Sequence, residues 1–188
     1  MKKPVIIILV VIAVIGIIAG FFVGTYNGLV EQQTAIEGKQ AEIQTQLQRR
    51  ADLIPNFVNT VKGYSDYEQS TLQGVTDARA AVSKANTPGE QAQANAQLDS
   101  AIDIWVNAVT EAYPDLKANQ QYIALQDELA GTENRIANAR RQYNEAVQSY
   151  NTSIRKFPKS LLAGMFGFEK AEFFEADADS QDVPKVEF

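Results

Sequence analysis

Residues 119–157 read NQQYIALQDELAGTENRIANARRQYNEAVQSYNTSIRKF, and this stretch decides the class of fold. Apolar and small side chains recur in it at alternating steps of three and four residues, which places them in one stripe along an α-helix. At a rise of about 1.5 Å per residue, the stretch predicts a helix of roughly 58 Å. A helix with a single apolar stripe has to bury it against a neighbour. The stripe comprises Tyr122, Leu125, Leu129, Thr132, Ile136, Ala139, Tyr143, Ala146, Tyr150, Ser153 and Phe157.

The same spacing recurs near the N-terminus and predicts a second long helix with a coiled-coil seam. We expect this helix to continue a preceding apolar run without a break. Pro55 removes one backbone donor, so a kink or a restart is expected near Asp52–Asn56, with Asp52 as a candidate cap of the restarted helix. The seam comprises Tyr26, Leu29, Gln33, Ile36, Gln40, Ile43 and Leu47.

Between these two helices the periodic pattern predicts further helical segments. It resumes at Val58 and runs to Val82, and the turn sequence Asn86-Thr87-Pro88-Gly89 follows. A helix is then expected from about Glu90 to Ala112, where Tyr113-Pro114 ends it. Its apolar face consists of Leu98, Ile102, Trp105 and Val109.

Val5 to Val23 is an apolar run without a charged or amide side chain. It spans roughly 28 Å as a helix, close to the hydrocarbon thickness of a bilayer, and its insertion is favoured by about 6 kcal/mol. A cleavable signal peptide is the alternative, but its apolar region is usually shorter and followed by a small-x-small site. The run therefore predicts a retained signal anchor. Lys2 and Lys3 place the N-terminus in the cytoplasm and the bulk of the chain outside the inner membrane.

Four glycines follow one another at steps of four residues through the end of this run. On a helix they form a smooth stripe that a second backbone can approach closely, although glycine is also common in membrane helices. The stripe suggests packing between membrane helices and hence a homo-oligomer. Its members are Gly16, Gly20, Gly24 and Gly28.

Composition excludes several classes of site. The 188 residues contain no Cys and no His, so disulfides, iron–sulfur clusters, thiolate nucleophiles, Ser-His-Asp triads and His-ligated zinc cannot form. The net charge of −6 argues against general nucleic-acid binding, which depends on cations that neutralise phosphates. No phosphate loop or nucleophile elbow is present, and no cofactor is expected.

The expected fold is all-α: an N-terminal transmembrane helix followed by an elongated antiparallel bundle of three to four long coiled-coil-like helices. Residues 1–4 form a cytoplasmic stub, 5–24 the membrane anchor, and 25–158 the extracytoplasmic bundle. Residues 159–188 form an acidic tail that also carries five Phe side chains, which disordered segments usually lack. We expect the tail to lie along a groove and to bury these rings.

A polar cluster is expected where two helices meet. Arg49 and Arg50 point about 100° apart, and either is placed to pair with Glu128 or Glu133; a solvated pair and a ligand site are the alternatives. The segment Thr132-Glu133-Asn134-Arg135 puts a polar layer inside an apolar seam, a device that fixes register. The predicted structural cluster is Arg49, Arg50, Asp52, Glu128, Glu133, Asn134 and Arg135.

Tyr143-Asn144 recurs seven residues later as Tyr150-Asn151, and Tyr26-Asn27 repeats the pair on the first long helix. The pattern is typical of packed tyrosines whose hydroxyls reach the edge of the bundle; a ladder of hydrogen bonds at a subunit interface is the alternative. Lys62-Gly63-Tyr64 places a glycine inside a helix, which a close helix crossing would explain.

In order and spacing, these motifs resemble the LemA family of bacterial membrane proteins over nearly the whole chain. The resemblance implies one membrane helix, an all-α antiparallel exported domain and no established catalytic activity. A relative in magnetotactic bacteria is associated with magnetosome membranes, which suggests membrane organisation. Two positions depart from the pattern: Gln40 stands where the family often has Trp, and Tyr67 where it often has His. The matching segments are YNGLV at 26–30, QLQRR at 46–50, DLIPN at 52–56, TVKGY at 60–64, YPDLKAN at 113–119, LQDEL at 125–129, TENRI at 132–136 and PKVEF at 184–188.

Three functions remain at this point. The first is a non-enzymatic, membrane-anchored scaffold or adaptor of the bacterial cell envelope that contacts the lipid bilayer, self-associates and organises envelope partners. The second is a regulatory accessory subunit of an envelope protease or transporter that docks through the acidic tail. The third is an enzyme, for which Asp52, Glu128, Glu133 and Arg135 are the plausible catalytic residues. Evidence for it would be strongly shifted carboxylate pKa values inside a cleft.

Overall fold

The computed structural model describes residues 3–62 and 69–174, and over these residues the chain is helical apart from turns and a final stretch without regular structure. The elements are α1 (Lys3–Lys62), α2 (Gln69–Lys84), α3 (Pro88–Ala112), a short 3-10 helix (Pro114–Ala118), α4 (Gln120–Ser153) and α5 (Lys159–Phe166). Gly63, Tyr64, Tyr67 and Phe188 lie outside the described residues, and so do the other residues of the acidic tail from 175 onward.

The chain divides into two compact units. The N-terminal unit contains the described residues of Met1–Gly38 and Glu145–Glu172, and the bundle unit contains Lys39–Asn144 with the stretch that begins at Phe173. Both α1 and α4 contribute residues to each unit, so neither unit corresponds to a single run of the sequence.

The prediction that the first helix continues the apolar run is confirmed. Of the kink or restart expected at Pro55, the restart is wrong because α1 runs through this residue, and the kink stays a prediction. Pro55 has no N–H, so the carbonyl of Ala51 loses its intrahelical donor. Arg79 of α2 supplies the missing donor: its Nε lies 2.8 Å from the Ala51 carbonyl oxygen. This bond from another helix explains how α1 passes through Pro55 with its buried carbonyl satisfied. Asp52 therefore lies inside α1 and does not cap a helix.

The N-terminal part of α1 is the one segment of the described chain that is long and apolar enough to cross a membrane. None of its apolar window is buried inside the protein. A Cβ atom added at Gly16, Gly20, Gly24 or Gly28 would meet nothing within 4 Å. Among the described residues, therefore, no neighbouring element occupies the space beside the glycine stripe.

In the bundle unit, contacts along α1 set the directions of its neighbours. Lys39 contacts Gln142 of α4 at 2.5 Å, while Phe57 stacks on Tyr122 with ring centroids 5.2 Å apart, so α4 runs antiparallel to α1. Phe57 also meets Trp105 of α3 edge-on at 5.3 Å. The antiparallel bundle predicted from the sequence is present in this unit.

The turn between α2 and α3 is built by a capping box. Thr87 accepts a hydrogen bond from the backbone of Glu90, and the Glu90 carboxylate accepts from the backbone N–H groups of Asn86 and Thr87 at 2.9 and 3.1 Å. These backbone bonds lower the pKa of Glu90. Helix α3 begins two residues earlier than expected because Pro88 occupies its first turn, where the missing N–H is harmless.

Most of the predicted seam is buried, with corrections at its ends. Helix α4 stops at Ser153, and Phe157 lies beyond it with 80% of its surface exposed, since a residue that precedes proline disfavours the helical conformation. Tyr26 and Gln33 are exposed as well. The buried members are Leu29, Ile36, Ile43, Leu47, Leu98, Ile102, Trp105, Val109, Tyr122, Leu129, Thr132, Ile136, Ala139, Tyr143 and Tyr150.

Candidate functional site

The most deeply buried charge of the described chain is Arg50 in α1, which is 6% exposed. Its guanidinium forms ion pairs with Asp99 of α3 and Glu133 of α4. Its Nη1 also donates to Asn95 Oδ1 at 3.3 Å. A cation taken out of water needs such partners, since an unpaired buried charge is strongly destabilising. We call Arg50, Asn95, Asp99 and Glu133 the Arg50 network; it joins three helices.

Within this network, folding shifts the pKa of the Asp99 carboxyl group. Burial raises the pKa of Asp99 to about 6, Arg50 opposes the rise, and the nearby charge of Glu133 adds to it. Asn95 Nδ2 donates to the Asp99 carboxylate at 2.9 Å. The folded protein therefore holds a proton on Asp99 at a pH where the unfolded chain has released it.

A second, exposed cluster lies beside the network. Arg49 and Arg135 both donate to Oε1 of Glu128 at 2.8 Å. All three side chains keep a third or more of their surface in water. Such pairs contribute roughly 0–1 kcal/mol each. The structure thus brings Arg49 to Glu128 and Arg50 to Glu133, as the sequence suggested, but of these four side chains only Arg50 is buried.

Two members of the predicted polar cluster lie elsewhere. Asn134 is exposed because it follows Glu133 by one residue and so points about 100° away from it. Asp52 is exposed, accepts a hydrogen bond from Gln48 at 2.8 Å and lies 3.9 Å from Arg79. Thr132 is fully buried, and its hydroxyl donates to the Leu129 carbonyl at 2.6 Å. The hydroxyl therefore has its hydrogen-bond partner within α4.

An open groove of about 860 Å³ runs along α1 beside the end of α2. Of the four residues considered for catalysis, Asp52 lines it and the other three do not. Gln91 lies at its wall, fully buried, with neither amide atom hydrogen-bonded to a described residue. Among residues 3–62 and 69–174, no group of three acidic side chains is placed to hold a metal ion.

The repeated Asn residues of α4 bind the main chain of the C-terminal segment. In the N-terminal unit, the Asn151 carboxamide donates to the Ala171 carbonyl and accepts from its N–H, both at 2.9 Å. In the bundle unit, Asn144 does the same with Phe174, again at 2.9 Å in both bonds. Phe174 is buried, and the Arg140 guanidinium lies 4.7 Å from its ring centroid. The alternative of a ladder between subunits is not needed to explain either Asn.

Tyr150 lies buried on α4 beside Asn151. Burial raises the pKa of Tyr150, and the charge of Glu169 adds to this effect. Both effects reinforce the neutral form of the phenol, which already prevails at physiological pH.

Comparison with known proteins decides the family. A family model described as the LemA family matches residues 39–188. The chain belongs to the LemA family. "Protein LemA" of Metamycoplasma hominis is 29% identical over 183 residues, which covers 94% of this chain and 83% of that protein.

Other relatives of this LemA-family chain come from magnetotactic bacteria. "Magnetosome protein MamQ 2" of Paramagnetospirillum magneticum is 28% identical over 207 residues, covering 95% of this chain and 75% of its own length. "Magnetosome protein MamQ" of Magnetospirillum gryphiswaldense is 24% identical and covers 86% of this chain and 68% of its own length. The similarity to both kinds of relative extends over most of the chain.

Proposed function

We propose that this LemA-family protein is a single-pass, membrane-anchored and non-enzymatic helical scaffold of the bacterial cell envelope. The observation that carries the proposal is the exposed apolar segment of α1, which continues into the bundle as one helix. The residues proposed to lie in the membrane and residues that build the bundle thus belong to the same helix. The name of the magnetosome relatives supports a role at a membrane.

The proposal places the N-terminus in the cytoplasm and the bundle outside the inner membrane. Lys2 and Lys3 precede the apolar run, and the next basic residue is Lys39. Cytoplasmic flanks are enriched in Lys and Arg, which supports this orientation.

Membrane anchoring is tested by charging the apolar run. Each Arg at the centre of a membrane helix disfavours insertion by about 3 kcal/mol, so Val10→Arg with Val14→Arg offsets the roughly 6 kcal/mol that drives insertion. We expect alkaline carbonate to extract this double variant but not the wild type. Ile104→Arg with Ile123→Arg, at two exposed apolar positions of the bundle, is the matched control and should remain with the membrane. Full retention of the first variant would contradict anchoring by α1.

Self-association through the glycine stripe is the second element of the proposal. Because a Cβ atom added at these glycines would meet no atom of a neighbouring element among the described residues within 4 Å, a larger side chain there is expected to be tolerated by the fold. We expect the mass of the wild type in native nanodiscs to exceed that of a monomer, and Gly20→Leu with Gly24→Leu to reduce it. A monomeric wild type would exclude self-association, and an unchanged mass of the variant would exclude the stripe as the contact.

The scaffold is favoured over a regulatory module that docks through its tail. Asn144 and Asn151 hold the described part of the C-terminal segment against the chain's own α4. A segment whose main chain is already bound at two positions is a poor free ligand for a partner. A non-catalytic role is also supported by the placement of the three candidate carboxylates: Asp52 lines the large groove along α1, whereas Glu128 and Glu133 do not.

A further inference from the structure

Within the N-terminal unit, exposed apolar side chains cluster at α5. Phe157, Leu161 and Met165 expose 80%, 63% and 71% of their surface. Leu161 and Met165 are four residues apart and so share one face of the helix. The opposite face, with Leu162 and Ala163, is buried. Helix α5 is thus amphipathic, with an outward apolar face next to the exposed ring of Phe157.

The position of α5 in this unit is fixed relative to the apolar run of α1. The Phe166 ring centroid lies 5.0 Å from that of Tyr26 in an edge-on contact. Phe166 also lines a small apolar hollow together with Phe22 and Val23. Because Val23 is the last residue of the apolar run, α5 lies where a bilayer spanned by α1 would end. Tyrosine is enriched at that level of membrane proteins.

The charges around α5 complement a lipid surface. Arg155 and Lys156 are exposed, and Lys159 begins the helix. No acidic residue occurs from 155 to 168, although the chain as a whole has a net charge of −6. A short helix with an apolar face and flanking cations is the pattern of segments that lie in the headgroup region, where apolar burial and attraction to anionic lipids add together.

We propose that α5 is an interfacial helix that docks on the bilayer spanned by α1. The side chains of Phe157, Leu161 and Met165 enter the edge of the hydrocarbon layer, and the three cations contact lipid phosphates. The proposal rests on the membrane anchoring proposed above and adds a second contact that fixes the N-terminal unit on the lipid surface. A helix anchored at one point can tilt and rotate, whereas this second contact restrains both motions.

The absence of native Cys allows a direct test in the full-length protein. Nitroxide labels on Leu161→Cys and Met165→Cys, in nanodiscs, report collisions with oxygen, which enriches in lipid, and with a water-soluble nickel chelate. The matched control is Ile104→Cys on α3, at a side chain that is 59% exposed. We expect an oxygen-to-nickel ratio severalfold higher at both α5 positions than at the control. Equal ratios would overturn the proposal.

A label on Ile12→Cys separates the two proposals. If Ile12→Cys reports lipid while both α5 labels report water, α5 does not dock, but α1 still spans the membrane. If Ile12→Cys itself reports water, membrane anchoring fails. Broadening of the Leu161→Cys signal by a neighbouring label, with low access to both reagents, would assign the apolar face to a second copy and overturn lipid docking.

The electrostatic part has its own test. Lys156→Gln with Lys159→Gln should lower the ratio at Met165→Cys in nanodiscs of phosphatidylglycerol and change it little in phosphatidylcholine, since only the first lipid is anionic. Circular dichroism checks that the helix content is retained. An unchanged ratio in phosphatidylglycerol would exclude contact between these cations and lipid phosphates.

Discussion

Replacing Arg79 with Ala should destabilise the bundle through a carbonyl group on another helix. The Ala51 carbonyl has no donor within α1 because Pro55 lacks an N–H, and Arg79 Nε supplies the bond at 2.8 Å. Ala51 is 1% exposed, so Arg79→Ala leaves a buried acceptor unpaired, which costs about 1–3 kcal/mol. The contact of Arg79 with Asp52 at 3.9 Å is exposed and adds less than about 1 kcal/mol.

The Pro55→Ala background isolates this effect. There the backbone N–H of residue 55 returns and satisfies the Ala51 carbonyl, so Arg79→Ala should cost less than about 1 kcal/mol. Urea unfolding in mild detergent measures all four proteins of the cycle, with the buried Trp105 as the fluorescent reporter of the bundle unit. Equal losses in the two backgrounds would refute the reasoning, because the coupling between Arg79 and Pro55 would then be zero.

Three further predictions use the same unfolding assay or hydrogen exchange. Arg50→Ala should cost about 1–3 kcal/mol, since it leaves the partly exposed carboxylates of Asp99 and Glu133 without their cation, whereas the exposed Arg49→Ala should cost less than about 1 kcal/mol; similar losses would contradict the assignment. The folded-state pKa of Asp99, about 6 against 3.8, means that its contribution to stability falls as pH rises from about 4 to about 6, by roughly 1–2 kcal/mol after allowance for its partial exposure. Asp99→Asn should remove that slope, and an unchanged pH profile would show that Asp99 does not cause it. Asn151→Ala should speed exchange of the Ala171 amide, while unchanged protection would show that Asn151 does not hold it.

Local periodicity predicted the helices well and their ends less well. Steps of three and four residues located α3 and α4 because each buries one stripe. The outcome at Pro55 depends on Arg79, which lies on a different helix, so no local rule could show that α1 continues. The error at the end of α4 is smaller. The apolar spacing extends to Phe157, but the helix ends at Ser153, because the residue before Pro158 disfavours the helical conformation.

Some residues of the candidate site could be predicted from the sequence, and others could not. Arg49, Arg50, Glu128 and Glu133 stood out as charges near two apolar seams. Asn95 was missed, although a signal existed: it lies three residues before Leu98 and thus extends the apolar stripe of α3 with a polar side chain. The heptad spacing of Asn144 and Asn151 was visible, but their ligand is main chain 20 to 30 residues further along, which sequence spacing does not reveal.

The Arg50 network bears on the register in which the helices pack. A seam of evenly spaced apolar residues tolerates a slip of seven residues, because the stripe then meets an equivalent stripe. A slip of this size along α4 would bring Arg50 opposite Gln126 or Arg140 in place of Glu133. One choice removes the ion pair with α4 and the other adds a like charge, so in each case Arg50 keeps only its ion-pair partner on α3, Asp99. An apolar residue at position 50 would pack equally well in several registers. We therefore propose that the charge of Arg50 favours this arrangement of α1, α3 and α4 over slipped ones, even where a purely apolar seam of the same volume would be no less stable.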